Sequence, residues 1–103
     1  MPRLRISTDA DTDLGQLYLQ GVDLFGVVQA DRYIDELFAA LDLISTFPRM
    51  ARLRHEIQPP VWAYPFKAHM ILYDIDDQGD VIVVRIRHAH EDWQDTAAGT
   101  DAP

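Results

Sequence analysis

The side chains able to move a proton or hold a phosphate gather in the last third of the chain: Lys67, His69, Tyr73, Arg85, Arg87, His88 and His90. An RNA-cleaving centre would need a base or polarising group for the 2′-hydroxyl, cations for the developing phosphate charge and an acid for the leaving oxygen. These residues do not supply such a set in one phase of the last two strands, so none is assigned a catalytic role. His55, His69 and His90 are scattered, with no matching carboxylate spacing to mark zinc. There is no cysteine, which removes thiolate ligands and disulfides. No metal and no cofactor is expected. The remaining chemistry is recognition, for which Arg85 and Arg87, two residues apart on a strand, project in one direction.

The elements that must position these residues follow from periodicity. Leu4 and Ile6 alternate with polar neighbours in a first short strand, Arg3 to Ser7. Ser7 or Thr8 then caps a helix whose first turns carry Asp9, Asp11 and Asp13, and Leu14, Leu17, Tyr18, Val22 and Phe25 mark its apolar face. Gly26 is the expected stop. A second helix runs from about Gln29, with Ala30, Tyr33, Ile34, Leu37, Phe38, Leu41 and Ile44 as its stripe and Pro48 as its end. Two amphipathic helices with a short joint form an αα-hairpin that needs a third surface.

That surface is a β-meander. Leu53 to Ile57 reads as a weak strand, Pro59-Pro60 interrupts it, and Val61 to Tyr64 resumes an extended path. Met70 to Ile75 and Val81 to His88 are stronger strands, joined by the turn residues Asp76-Asp77-Gln78-Gly79-Asp80. Strict alternation puts Ile82, Val84, Ile86 and His88 on one face of the last strand and Val83, Arg85 and Arg87 on the other. The fold class is therefore α+β: an N-terminal strand, an αα-hairpin, then an antiparallel meander packed against the helices. We expect one domain over residues 1–93 and a flexible tail over 94–103.

Charge is unevenly spread on a chain of net charge −8. Between Asp9 and Asp42 the only Lys or Arg is Arg32, against Asp9, Asp11, Asp13, Asp23, Asp31, Asp35, Glu36 and Asp42. General nucleic-acid binding is disfavoured, while the more basic β half is a plausible dock for an anionic partner. No segment has the roughly 20 apolar residues of a membrane span, and the N-terminus does not read as a signal peptide. A cytoplasmic, non-membrane location is expected.

Linear motifs add a family. Ala30-Asp31-Arg32-Tyr33-Ile34-Asp35-Glu36-Leu37 followed by Phe47-Pro48-Arg49-Met50-Ala51-Arg52 resembles the ParE pattern, in which the second helix ends in a proline followed shortly by a small residue and Arg. Met70-Ile71-Leu72-Tyr73 resembles the family's apolar strand ending in Tyr, and Val81 to Asp92, with Arg85, His88 and Asp92, resembles its final strand and close. The likeness to the RelE/ParE toxin superfamily spans about Leu4 to Trp93. It implies a type II toxin that inhibits DNA gyrase, has no enzymatic activity of its own and is neutralised by a ParD-like ribbon-helix-helix antitoxin. Contact with operator DNA would then pass only through the antitoxin. A RelE-like ribosome-dependent mRNA endonuclease and a non-toxic antitoxin-binding relic are the alternatives. On this reading Arg85, Arg87, His88, His90, Asp92 and Trp93 contact the target. Leu17, Tyr18, Phe25, Tyr33, Leu37, Arg52, Arg54 and Lys67 contact the antitoxin.

Overall fold

Ser7 is where the chain turns from strand to helix. In the computed structural model, which describes residues 3–89, β1 (Leu4–Ile6) ends at Ser7, whose side chain accepts the Ala10 N–H at 3.0 Å and caps α1 (Thr8–Phe25). This satisfies one donor that a helix start leaves open, and Asp9 and Asp11 add negative charge beside the others. Gly26 ends α1 with φ 89° and ψ 165°, a region essentially reserved for glycine. The same residue opens α2 (Val27–Thr46), so a single glycine joins the hairpin. Periodicity starts α2 near Gln29; this glycine reverses the chain within one residue, and the helix begins earlier.

The remaining elements are β2 (Arg52–Arg54), β3 (Val61–Phe66), β4 (His69–Ile75) and β5 (Val81–His88). They form one five-stranded sheet with β1, in the order β1-β5-β4-β3-β2. β2 to β5 make the expected antiparallel meander. β1 adds a parallel edge, pairing Leu4 with Val81 and Ile6 with Val83. β2 is shorter than the Leu53 to Ile57 strand read from sequence, because Ile57 leaves the sheet to fill a second core.

The helices cover one face of the sheet. There Leu14, Leu37, Leu41 and Ile44 pack with Phe66, Ile71, Tyr73, Val81, Val83 and Ile86. Burying each of the larger side chains stabilises the fold by roughly 1.5–3 kcal/mol. Leu72 alternates with Ile71 and Tyr73 and packs instead with Ile57, Val61 and Ala63. The second face is thus partly closed by the segment between β2 and β3.

β5 breaks strict alternation. Leu72 pairs with Arg85 but Tyr73 pairs with Val83, so Val84 is the extra residue of a bulge. Of Ile82, Val84 and Ile86, which strict alternation put on one face, only Ile86 is therefore buried, and it shares the core with Val81 and Val83. Ser7 satisfies the disturbed backbone: its N–H donates to the Val83 carbonyl at 3.0 Å and its hydroxyl to the Val84 carbonyl at 2.8 Å. The helix stripes also need trimming, since Phe25 is 71% and Phe38 46% exposed.

Candidate docking groove

β1 pairs with β5 only as far as Val83, and beyond that point α1 takes over the edge. The Asp13 carboxylate accepts the Ile86 N–H at 2.9 Å, Arg85 Nε at 2.7 Å and Arg85 Nη2 at 2.9 Å. Its side chain is only 10% exposed and that of Arg85 27%. A two-pronged guanidinium–carboxylate pair of this kind fixes orientation as well as charge. Arg85, expected on the outer face as a target contact, bolts β5 to α1.

Lys67 makes a second link between the layers. It stands in the turn between β3 and β4 with φ 51° and pairs with Glu36 on α2. Its ammonium lies 5.5 Å from the centre of the Tyr33 ring and 5.6 Å from that of Phe66. The acidic helices and the basic sheet seen in sequence therefore face each other in part, and these two cations serve the fold before any partner.

A groove opens between the hairpin tip and the adjoining ends of β4 and β5. Its apolar part, about 420 Å3, is lined by Leu17, Gly21, Leu24, Phe25, Ala30 and Tyr33, with Gln20, Gln29, Ala68, His69 and His88 completing the wall. A polar part of about 400 Å3 continues past Leu17, Gln20, His69 and His88 to Asp13, Gln16, Arg85, Ile86 and Arg87. Tyr33 anchors the junction: its hydroxyl lies 2.7 Å from His69 Nδ1. Burial raises the Tyr33 phenol above its ordinary value, with the Ala68 backbone acting in the opposite sense.

At the tip, Leu24, Phe25, Val27 and Val28 are all more than half exposed, at 67%, 71%, 54% and 73%. A contiguous apolar exposure of this kind on a small domain marks a contact surface. The signal was present in sequence: Leu24-Phe25-Gly26-Val27-Val28 is an apolar run around a turn, where no single helical face can hide it. A second apolar spot, lined by Phe47, Pro48 and Met50, follows α2.

The structure gathers some of the expected contact residues and separates others. Leu17, Phe25 and Tyr33 line the apolar part of the groove, and Arg85, Arg87 and His88 the polar part. Tyr18 sits apart, donating its hydroxyl to Asp31 at 2.7 Å. Arg52 and Arg54 lie on β2, at the opposite edge of the sheet from β1, and Arg54 pairs with Glu56 at 2.5 Å. Leu37 is a correction: it is fully enclosed by the main core and offers no surface to a partner. His90, Asp92, Trp93 and the tail 94–103 lie outside the described residues. Asp13, Gln20, Leu24 and His69 were not among the expected contacts, since only pairing across the sheet and packing of α1 bring them to the groove.

Among the described residues no group of three or more His, Cys, Asp or Glu is placed to hold a metal ion. Nor is any helix there long and apolar enough to cross a membrane. The features are those of a small binding domain: a mixed sheet on a helical hairpin, with an apolar-to-polar groove at one end. The sequence model of the ParE toxin of the type II toxin–antitoxin system parDE matches residues 4–93. Toxin ParE1 of Mycobacterium tuberculosis, in strains CDC 1551 / Oshkosh and H37Rv, is 31% identical over 90 residues, covering 87% of this chain and 92% of the relative. The solved chromosomal ParDE TA system from P. aeruginosa has a chain with the same fold at TM-score 0.74 and 17% identity, covering 85% of this chain and 96% of that one. The chain belongs to the ParE toxin family.

Proposed function

We propose that this ParE-family toxin acts in the cytoplasm by inhibiting DNA gyrase and is neutralised by a ParD-like ribbon-helix-helix antitoxin. What carries the reading is family membership over nearly the whole domain. The groove supports it: an amphipathic antitoxin segment would lay apolar side chains against Leu17, Leu24, Phe25 and Tyr33 and turn acidic ones toward Arg87 and His88. Target contact falls to Arg87, His88 and the segment carrying His90, Asp92 and Trp93. Arg85 acts mainly by holding β5 to α1. On this reading the toxin has no enzymatic chemistry, and it reaches operator DNA only through the antitoxin.

The test is induced expression with and without the adjacent antitoxin gene, beside a supercoiling assay with purified gyrase. Growth arrest relieved by the antitoxin, and loss of supercoiling, are expected. Arg87→Ala should weaken arrest, with thermal melting used to confirm that the variant folds. Specific mRNA cleavage on added ribosomes, with gyrase unaffected, would replace this reading by the RelE-like one. No arrest at normal expression would leave an antitoxin-binding relic.

A further inference from the structure

Gly21 lies near the end of α1, where that helix lines the apolar part of the groove. Its backbone is ordinary helix, unlike Gly26 and Gly79, whose φ is positive. Outside its own helix, a Cβ built on Gly21 would meet only Ala30, 3.5 Å from its Cβ and 3.8 Å from its Cα, which is ordinary van der Waals contact. Neither the backbone nor the crossing with α2 therefore demands a glycine, and inside a helix glycine is less stable than alanine. What the missing side chain does is shape the groove. Leu17, Gly21 and Phe25 stand on successive turns of one helix face, and all three line the wall. The glycine leaves a notch between two large apolar side chains, with buried Ala30 of α2 against it.

We propose that Gly21 is a specificity-determining residue of this groove, its notch taking one large apolar side chain of the antitoxin's amphipathic segment. The inference rests on the antitoxin reading given above and adds the residue that selects the anchor by size. Segments that lie in a groove hold it through a few apolar anchors, and those that fill pockets dominate the binding energy. The exposed Leu24 and Phe25 beside the notch extend the apolar surface that such a segment would cover.

Isothermal titration of the full chain with the purified antitoxin encoded by the adjacent gene tests this. Filling the notch by Gly21→Leu should weaken binding about tenfold or more, and Gly21→Ala roughly two- to tenfold. Gly21→Ala should melt at or above the parent's temperature, since its added Cβ meets no close neighbour. Gly15→Ala, at an exposed position of the same helix outside the groove wall, should leave affinity unchanged. Truncating the antitoxin's large apolar side chains to Ala one at a time should find one whose loss weakens binding to the parent but restores part of the affinity for Gly21→Leu. Thermal melting checks that each variant folds, and Gly21→Ala carries the test if Gly21→Leu does not. A parent that the antitoxin does not bind would overturn the antitoxin reading and this inference with it. A parent that binds, with folded Gly21 variants binding as tightly or with no antitoxin side chain coupled to position 21, would overturn this inference alone.

Discussion

Asp13 and Tyr73 show how single side chains tie the layers together. Asp13 holds both a guanidinium and a backbone N–H, so Asp13→Ala removes three hydrogen bonds at once. We expect a cost of roughly 1.5–3 kcal/mol, because these bonds involve charge but Arg85 keeps partial access to solvent. Urea denaturation of the variant beside the parent measures that loss. Tyr73 is fully buried and donates to the Pro48 carbonyl at 2.6 Å. Burial pushes its phenol from 10.0 up to about 12. The folded state thus favours the neutral form, a contribution complete below pH 10 and lost as pH rises toward 12. Tyr73→Phe should flatten that part of the stability profile, measured by denaturant melts across the alkaline range.

The helical hairpin depends on a joint with no spare length. Gly26 must hold φ 89° and ψ 165° while ending one helix and starting the next. A Cβ there meets no neighbouring atom within 4 Å, so a cost in Gly26→Ala isolates backbone strain from crowding. We expect about 1–3 kcal/mol. Leu37 and Leu41, both 0% exposed, anchor α2 on the sheet; truncating either to Ala should cost roughly 2–5 kcal/mol. Thermal melts of the three variants, scored beside antitoxin binding, separate the joint from the core. A Gly26→Ala chain as stable as the parent would show that the hairpin tolerates another joint.

For the whole molecule, the decisive feature is unequal cover. The sheet face under the helices is closed, the opposite face is partly sealed by Ile57, and the hairpin tip is left apolar and open. An isolated chain with Leu24, Phe25, Val27 and Val28 in water should self-associate at concentrations where its antitoxin complex does not. Size-exclusion chromatography with light scattering reads this directly. Leu24→Ser should make the free chain more monodisperse and weaken the complex, without lowering its melting temperature by more than a degree or two. If aggregation persists and antitoxin affinity is unchanged, the docking surface lies elsewhere, with the patch at Phe47 and Met50 next to be tested.

Element order and type were legible in the sequence because they rest on short-range periodicity. The Leu37, Leu41 and Ile44 stripe, the Ser7 cap and the Asp76–Asp80 turn each need only neighbours within a few residues. The family was legible too, since its motifs are ordered along the chain. Tertiary structure alone decided the rest. The Val84 bulge reset the phase of β5, and nothing in Val81 to His88 announces it, because it follows from pairing with β4 and β1 together. That pairing placed Arg85 against Asp13 and His88 against His69, contacts between residues far apart in sequence. Local pattern states which side chains prefer to be buried; which of them find cover depends on how many faces the packed layers close. Here they closed over Leu37 and left Phe25 in water.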